Sequence, residues 1–142
     1  MNKTNNDLPK IVAIDFDGTL VEDKFPEIGE PNMEMFSLVK ALQAQGVRVI
    51  LWTSRDGKNL IDAVSYCHQK GIVFDAINTN IPEVIALYNN DTRKVFADIY
   101  IDDKAIPVEQ DFLYWCHRLD VNHKDLNIAI HKSYCELLKK GV

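Results

Sequence analysis

The sequence predicts an α/β fold in three layers, with helices covering both faces of a parallel sheet. Two observations carry this. Short β-branched runs alternate with segments of helical spacing, and those runs are almost continuously apolar, as strands buried on both faces are. A length of 142 residues fits one domain and not two.

The elements follow in order. Residues 11–15 (IVAID) form the first strand candidate, and LVEDKFPEIGE, between Thr19 and Pro31, fits a short flap. Pro31 is expected at the first position of a helix, where its missing N–H does no harm. Met35, Leu38, Val39 and Leu42 then recur at i, i+3, i+4 and i+7, and Gly46 stops the run. A second strand covers 47–52. The second helix starts near Asn59, carries Leu60, Val64 and Cys67 on one face, and stops at Gly71. A third strand is expected over 72–77 and a third helix from Pro82, with Ile81, Val84, Ile85 and Tyr88 in helical register. The fourth strand is 98–102. Two C-terminal helices follow, one bearing Phe112, Trp115, Cys116 and Leu119, the other Leu126, Ile130, Tyr134 and Leu137. Residues 1–142 therefore read as one domain, with a core over 10–107 and helices within 108–140.

Composition narrows the function classes. With 16 Lys+Arg against 21 Asp+Glu, the net charge of −5 disfavours a non-specific nucleic-acid or anionic-membrane binder. No apolar run approaches the ~18 residues of a membrane span. The opening MNKTNNDLPK lacks an apolar signal core, and Cys67, Cys116 and Cys135 read as free thiols, so a cytoplasmic location is expected.

The chemistry gathers at strand ends. Ligands of open α/β sheets bind outside the carboxyl ends of the strands. The first strand ends in Asp15-Phe16-Asp17-Gly18-Thr19, the second in Trp52-Thr53-Ser54-Arg55, and the fourth in Asp102-Asp103. Four carboxylates delivered to one edge repel one another, and a hard divalent cation resolves that repulsion; oxygen-only ligands favour Mg²⁺. One carboxylate beside Mg²⁺ can attack phosphorus, and a second can protonate the leaving oxygen and then activate water. A hydroxyl such as that of Thr53, backbone N–H groups and a cation would hold the phosphoryl oxygens. Arg55 could grip a second phosphate or a carboxylate with its planar fork.

DFDGTL after a hydrophobic strand, ILWT closing the second and IYIDD closing the fourth resemble motifs one, two and four of the haloacid dehalogenase (HAD) superfamily, over residues 10–107. The resemblance implies a Rossmann-like, HAD-type sheet and a phosphatase working through an aspartyl-phosphate. It makes Asp15 the nucleophile, Asp17 the general acid/base, Thr53 a ligand of the transferring phosphoryl group and Asp102 a Mg²⁺ ligand supported by Asp103. Asp15 and the backbone carbonyl of Asp17 complete the protein's ligands. Gly18, Ser54 and Arg55 are expected on the substrate side.

The superfamily's third motif is a Lys or Arg, for which Lys94, Arg93, Lys70 and Lys58 are candidates. Lys94 is preferred, because RKVFADIYIDD is similar to small HAD nucleotidases. A strand unbroken from Val95 would leave Lys94 about 25 Å from Asp102, so this assignment expects the strand to begin near Asp98 with Lys94 on a returning loop.

Neither the segment before Pro31 nor that between Ile77 and Asp98 can hold a cap domain, so the resemblance narrows to capless members. An open site suits bulky phosphorylated substrates, or a second copy of the chain supplies a lid. Phe25, Ile28 and Trp52 could form an apolar wall near the mouth, with Trp52 read first as core in a buried strand. Nucleotidase, polynucleotide-end phosphatase and sugar phosphatase are not separated by motif. A receiver-like phosphorylation module and an idle scaffold are the alternatives outside catalysis. His131 and Cys135 have i, i+4 spacing but no zinc-binding frame around them.

Overall fold

The computed structural model describes Thr4, 7–105, Cys116, His117 and 119–140. Strand β1 is Ile11–Ile14, and β2 (Val21–Lys24) and β3 (Glu27–Pro31) form an antiparallel hairpin. Then come α1 (Met33–Ala44), β4 (Arg48–Leu51), α2 (Gly57–Gln69), β5 (Ala76–Ile77), α3 (Pro82–Tyr88), β6 (Ile99–Ile101) and α4 (His123–Lys139). The main sheet runs β5-β4-β1-β6, and every pair in it is parallel.

Alternation along the strands builds two cores. Val12, Ile14, Val49 and Leu51 face Phe36, Val39 and Leu42 of α1, Ala63 and Cys67 of α2, and Leu126 and Leu137 of α4. Ile11, Ala13 and Ile50 face the opposite way, toward Ile81, Val84 and Val95. From β1 the chain steps through β4 to β5, then crosses back to β6 on the far side of β1. Right-handed crossovers require α3 to lie opposite α1 and α2, as it does. The strand order thus reverses between β1 and β6, where ligands of open α/β sheets bind.

Two expected boundaries move, each for a local reason. Pro31 ends β3 instead of opening α1. The backbone stays extended through Asn32, whose N–H donates to Leu20 O at 2.8 Å, and the Asn32 side chain then caps the helix by accepting from Met35 N at 3.2 Å. The third strand shrinks to Ala76–Ile77. Ahead of it, Ile72 N closes the end of α2 on Cys67 O, and Val73 O accepts from Gln43 Nε2, so the ladder cannot start earlier. Trp52 packs with Ile11, Ala13 and Ile50 on the α3 side, so it belongs to the core and not to a wall at the site. Ile28 packs against the main core, while Phe25 is exposed at the hairpin tip.

The helix expected around Phe112–Leu119 lies largely outside the described residues, although Cys116 and Leu119 are buried in the main core. The final helix appears as α4, capped by Asn122 through Lys124 N and Asp125 N. Among the described residues, no helix is long and apolar enough to cross a membrane.

One side chain of α1 is poorly matched to its place. Ser37 is fully buried and its hydroxyl has no partner. Ser37→Ala removes an unsatisfied polar group and improves helix propensity, so it is expected to stabilise the protein by about 1 kcal/mol. Thermal melting should rise by roughly 3 °C, and an unchanged or lower midpoint would contradict this account.

Candidate active site

The DFDGT segment leaves β1 and turns at once. Thr19, Leu20 and Val21 all direct their N–H groups to Phe16 O, and Gly18 N donates to Val21 O at 2.8 Å. Gly18 has φ +85°, and a Cβ there would sit 2.3 Å from Asp103 Oδ2. A glycine is needed on both counts, and its bare backbone lets the Asp103 carboxylate close on the loop. The same demand recurs in the hairpin, where a Cβ on Gly29 would lie 2.0 Å from Glu22 O.

The strands then deliver their termini together. Asp15 N donates to Ile101 O at 2.9 Å, which sets the end of β1 against the end of β6. Asp15, Asp102 and Asp103 each offer an oxygen, and these three atoms lie within 4.8 Å of one another. Thr19 Oγ1 ties the group together, accepting from Asp103 N at 3.1 Å and donating to Asp15 Oδ2 at 3.4 Å. Asp102 Oδ1 accepts from Lys104 N at 2.8 Å, and the Lys104 ammonium lies 3.7 Å from Asp103 Oδ2.

Burial pushes the Asp15 carboxyl up to about 7, helped by a hydrogen bond shared with Asp103 and by the charge of Asp102. A proton on Asp15 is one way to relieve that repulsion. A hard divalent cation fits the same three-carboxylate, all-oxygen donor set, with Asp15, Asp102 and Asp103 to hold it.

Thr53 follows β4, whose Leu51 is in register with Ile14, so it reaches the same edge as Asp15. Its N–H donates to Asn78 Oδ1 at 2.8 Å, and its hydroxyl accepts from Arg55 N at 3.1 Å. Asn78 itself has φ +55° and donates its N–H to Leu51 O. Ser54 is exposed on the rim.

The Asp17 side chain does not join the acidic trio. Its two oxygens accept from Arg55 Nε and Nη2, both at 2.7 Å. The expectation that Arg55 binds substrate does not fit its contacts. Arg55 is 3% exposed, and Nη1 donates to Pro26 O (3.0 Å) and Asn59 O (3.3 Å) while Nη2 also donates to Glu27 O (2.9 Å). All five guanidinium N–H donors therefore have acceptors within the protein. The ring of Phe16 lies 5.0 Å from the guanidinium carbon and that of Phe25 lies 5.2 Å from it.

Strand β6 begins at Ile99, as the Lys94 assignment required, but the lysine does not return to the carboxylates. Lys94 is exposed and its ammonium rests 5.2 Å from the Tyr100 ring centroid, with no ion pair to Asp15, Asp102 or Asp103. Lys58 pairs with Asp62 at 2.7 Å, and Lys70 lies 4.8 Å from the Tyr66 ring centroid. Among the described residues, Lys104 is the cation paired with the trio. Spacing arguments gave Thr19, inside the first strand-end motif, no role, and missed Lys104, just after the fourth strand end, and Asn78, just after the third strand. His131 and Cys135 approach to 3.7 Å on α4, and no third metal-ligating side chain joins them among the described residues.

With the geometry in place, comparison adds one relationship. The chain matches the solved structure of a conserved protein from Bacteroides thetaiotaomicron at 33% identity, with a TM-score of 0.67, over 84% of this chain and 98% of that one. The two chains belong to one family. No protein-family model and no curated protein matches. The family likeness covers nearly the whole of the relative, so the α/β framework that carries the acidic edge is common ground between them.

Proposed function

We propose that this protein is a Mg²⁺-dependent phosphomonoester hydrolase of the HAD type, working through an aspartyl-phosphate on Asp15. The observation that carries this reading is the trio Asp15, Asp102 and Asp103 at the carboxyl ends of β1 and β6, with Thr53 arriving from the neighbouring strand. Asp15, Asp102 and Asp103 would hold the cation, which when bound neutralises charge on the phosphoryl oxygens and on the carboxylates themselves.

The protein's own groups account for the rest. A carboxylate oxygen of Asp15 forms a bond to phosphorus as the ester P–O bond breaks. Asp17 gives a proton to the departing alkoxide, for which one of its oxygens must turn from the Arg55 fork toward the leaving group. In the second half a water attacks phosphorus, Asp17 takes its proton, and the acyl phosphate opens to inorganic phosphate and free Asp15. The Thr53 hydroxyl and the Lys104 ammonium serve in this reading as side-chain donors to the phosphoryl oxygens. Lys104 is 77% exposed, so it can swing from Asp103 to a substrate without breaking a buried contact.

The test is phosphate release from nucleotides, sugar phosphates and 5′- or 3′-phosphorylated oligonucleotides with Mg²⁺ present. Turnover should appear with at least one class and fall to background with EDTA. Release that persists at full rate in EDTA removes the metal from the reading, and no release from any class removes the hydrolase.

A further inference from the structure

Arg55 is separated from Asp17 by 38 positions and from Pro26 by 29, yet it binds both. Its guanidinium is a junction of three segments. Asp17 belongs to the loop after β1, Pro26 and Glu27 to the tip of the β2–β3 hairpin, and Asn59 to the first turn of α2. The buried Phe16 ring supports one side, and the exposed Phe25 ring, itself part of the hairpin tip, covers the junction from outside. Hydrogen bonds donated to the half-buried Asp17 carboxylate hold the guanidinium above its ordinary pKa, outweighing the opposite effect of burial.

We propose that Arg55 is a positioning residue that makes the hairpin tip and the Asp17 carboxylate one mechanical unit. The direction in which Asp17 points and the position of the hairpin tip beside the loop after β1 are then set together, by a side chain that never touches substrate. The catalytic consequence rests on the hydrolase reading above. The mechanical coupling does not. Three features require arginine. Five donors in a fixed plane serve five acceptors, two of them one carboxylate, and the flat cation lies beside two aromatic rings. Lysine, with three donors around a point charge, cannot hold all of these at once.

Amide hydrogen exchange tests the coupling without any assay of activity. Arg55→Lys should speed exchange of hairpin amides 21–31 by roughly tenfold while amides of β1 and β4 keep their protection. Asp17→Asn should loosen the same hairpin amides, although the hairpin tip itself is unaltered. Phe25→Ala, at an exposed position that poses little threat to folding, should loosen them about two- to fivefold. If Arg55→Lys does not fold, the Asp17 and Phe25 variants decide the matter. Hairpin protection that is unchanged in the folded variants overturns the proposal, as does loosening spread evenly over the whole sheet.

Kinetics supply the second arm. Arg55→Lys should lower kcat about 10- to 100-fold with KM within about threefold, as for a residue that acts through Asp17. A KM raised tenfold or more at unchanged kcat overturns the proposal in favour of direct substrate binding. Wild-type protein that releases no phosphate refutes the hydrolase, and the exchange data then decide the coupling alone.

Discussion

Asp15→Asn is expected to lower phosphate release by roughly 10⁴-fold or more, and at the same time to raise the melting temperature of the metal-free protein. The two effects share one cause. Asp15 stands half-buried within a group of three carboxylate oxygens that lie within 4.8 Å of one another. In the proposed reaction it has no substitute, because Asp102 and Asp103 are set by β6 and face it from the other strand. An amide in its place removes both the attacking oxygen and one source of repulsion. Loss of activity together with loss of stability would point to a folding role instead. A variant retaining more than about a hundredth of wild-type turnover would exclude covalent catalysis by Asp15.

The second large effect concerns pH. Asp15 titrates near 7 in the folded chain against an ordinary value of 3.8. Between those values the native state binds more protons than the unfolded chain, so stability falls as pH rises from about 4 to about 7 and levels off above that. The full shift sets a ceiling of about 4 kcal/mol. The site is partly open to water, and screening brings the expected loss to about 1–2 kcal/mol, or roughly 3–6 °C in melting temperature. Mg²⁺ acts in the opposite sense. At neutral pH it replaces the proton, and at roughly 100 times its Kd it restores about 2.7 kcal/mol. Melting curves from pH 4 to 8, with and without Mg²⁺, decide this. Asp15→Asn should flatten the metal-free profile. A metal-free protein that grows more stable from pH 4 to 7, or a melting temperature indifferent to Mg²⁺ at pH 7.5, would remove the acidic trio as a cation site.

Much of the framework was legible because periodicity records it. IVAI and RVIL alternate between two cores, and Leu38, Val39 and Leu42 fall on the buried face of α1, as spacing alone predicts. The acidic edge was legible too, since each carboxylate closes a recognisable strand. Contacts between distant segments were not. Nothing local in TSRDG shows that Arg55 meets Asp17 and the hairpin carbonyls, and a lone arginine beside a site reads equally well as a substrate ligand. Pro31 illustrates the limit at shorter range. Its fixed φ suits a strand end as well as a helix start, and a backbone bond from Asn32 to Leu20 decides between them. Lys94 was misplaced because a loop's path depends on its anchors. Asn80 takes up Asp91 and Phe96 through hydrogen bonds, and the loop that carries Lys94 is fastened beside α3.

The opposite end of the sheet is built differently. There Asp98 Oδ2 accepts from Ile11 N at 2.8 Å, Asp75 Oδ2 accepts from Val49 N at 2.7 Å, and Arg48 bridges Asp75 and Glu83. These carboxylates serve as fasteners for the beginnings of the two central strands, whereas those of Asp15, Asp102 and Asp103 crowd one another. One residue type therefore does two jobs, and the division follows the polarity of the strands. A sheet so fastened at one end holds its register there whatever the hairpin and the strand-end loops do at the other.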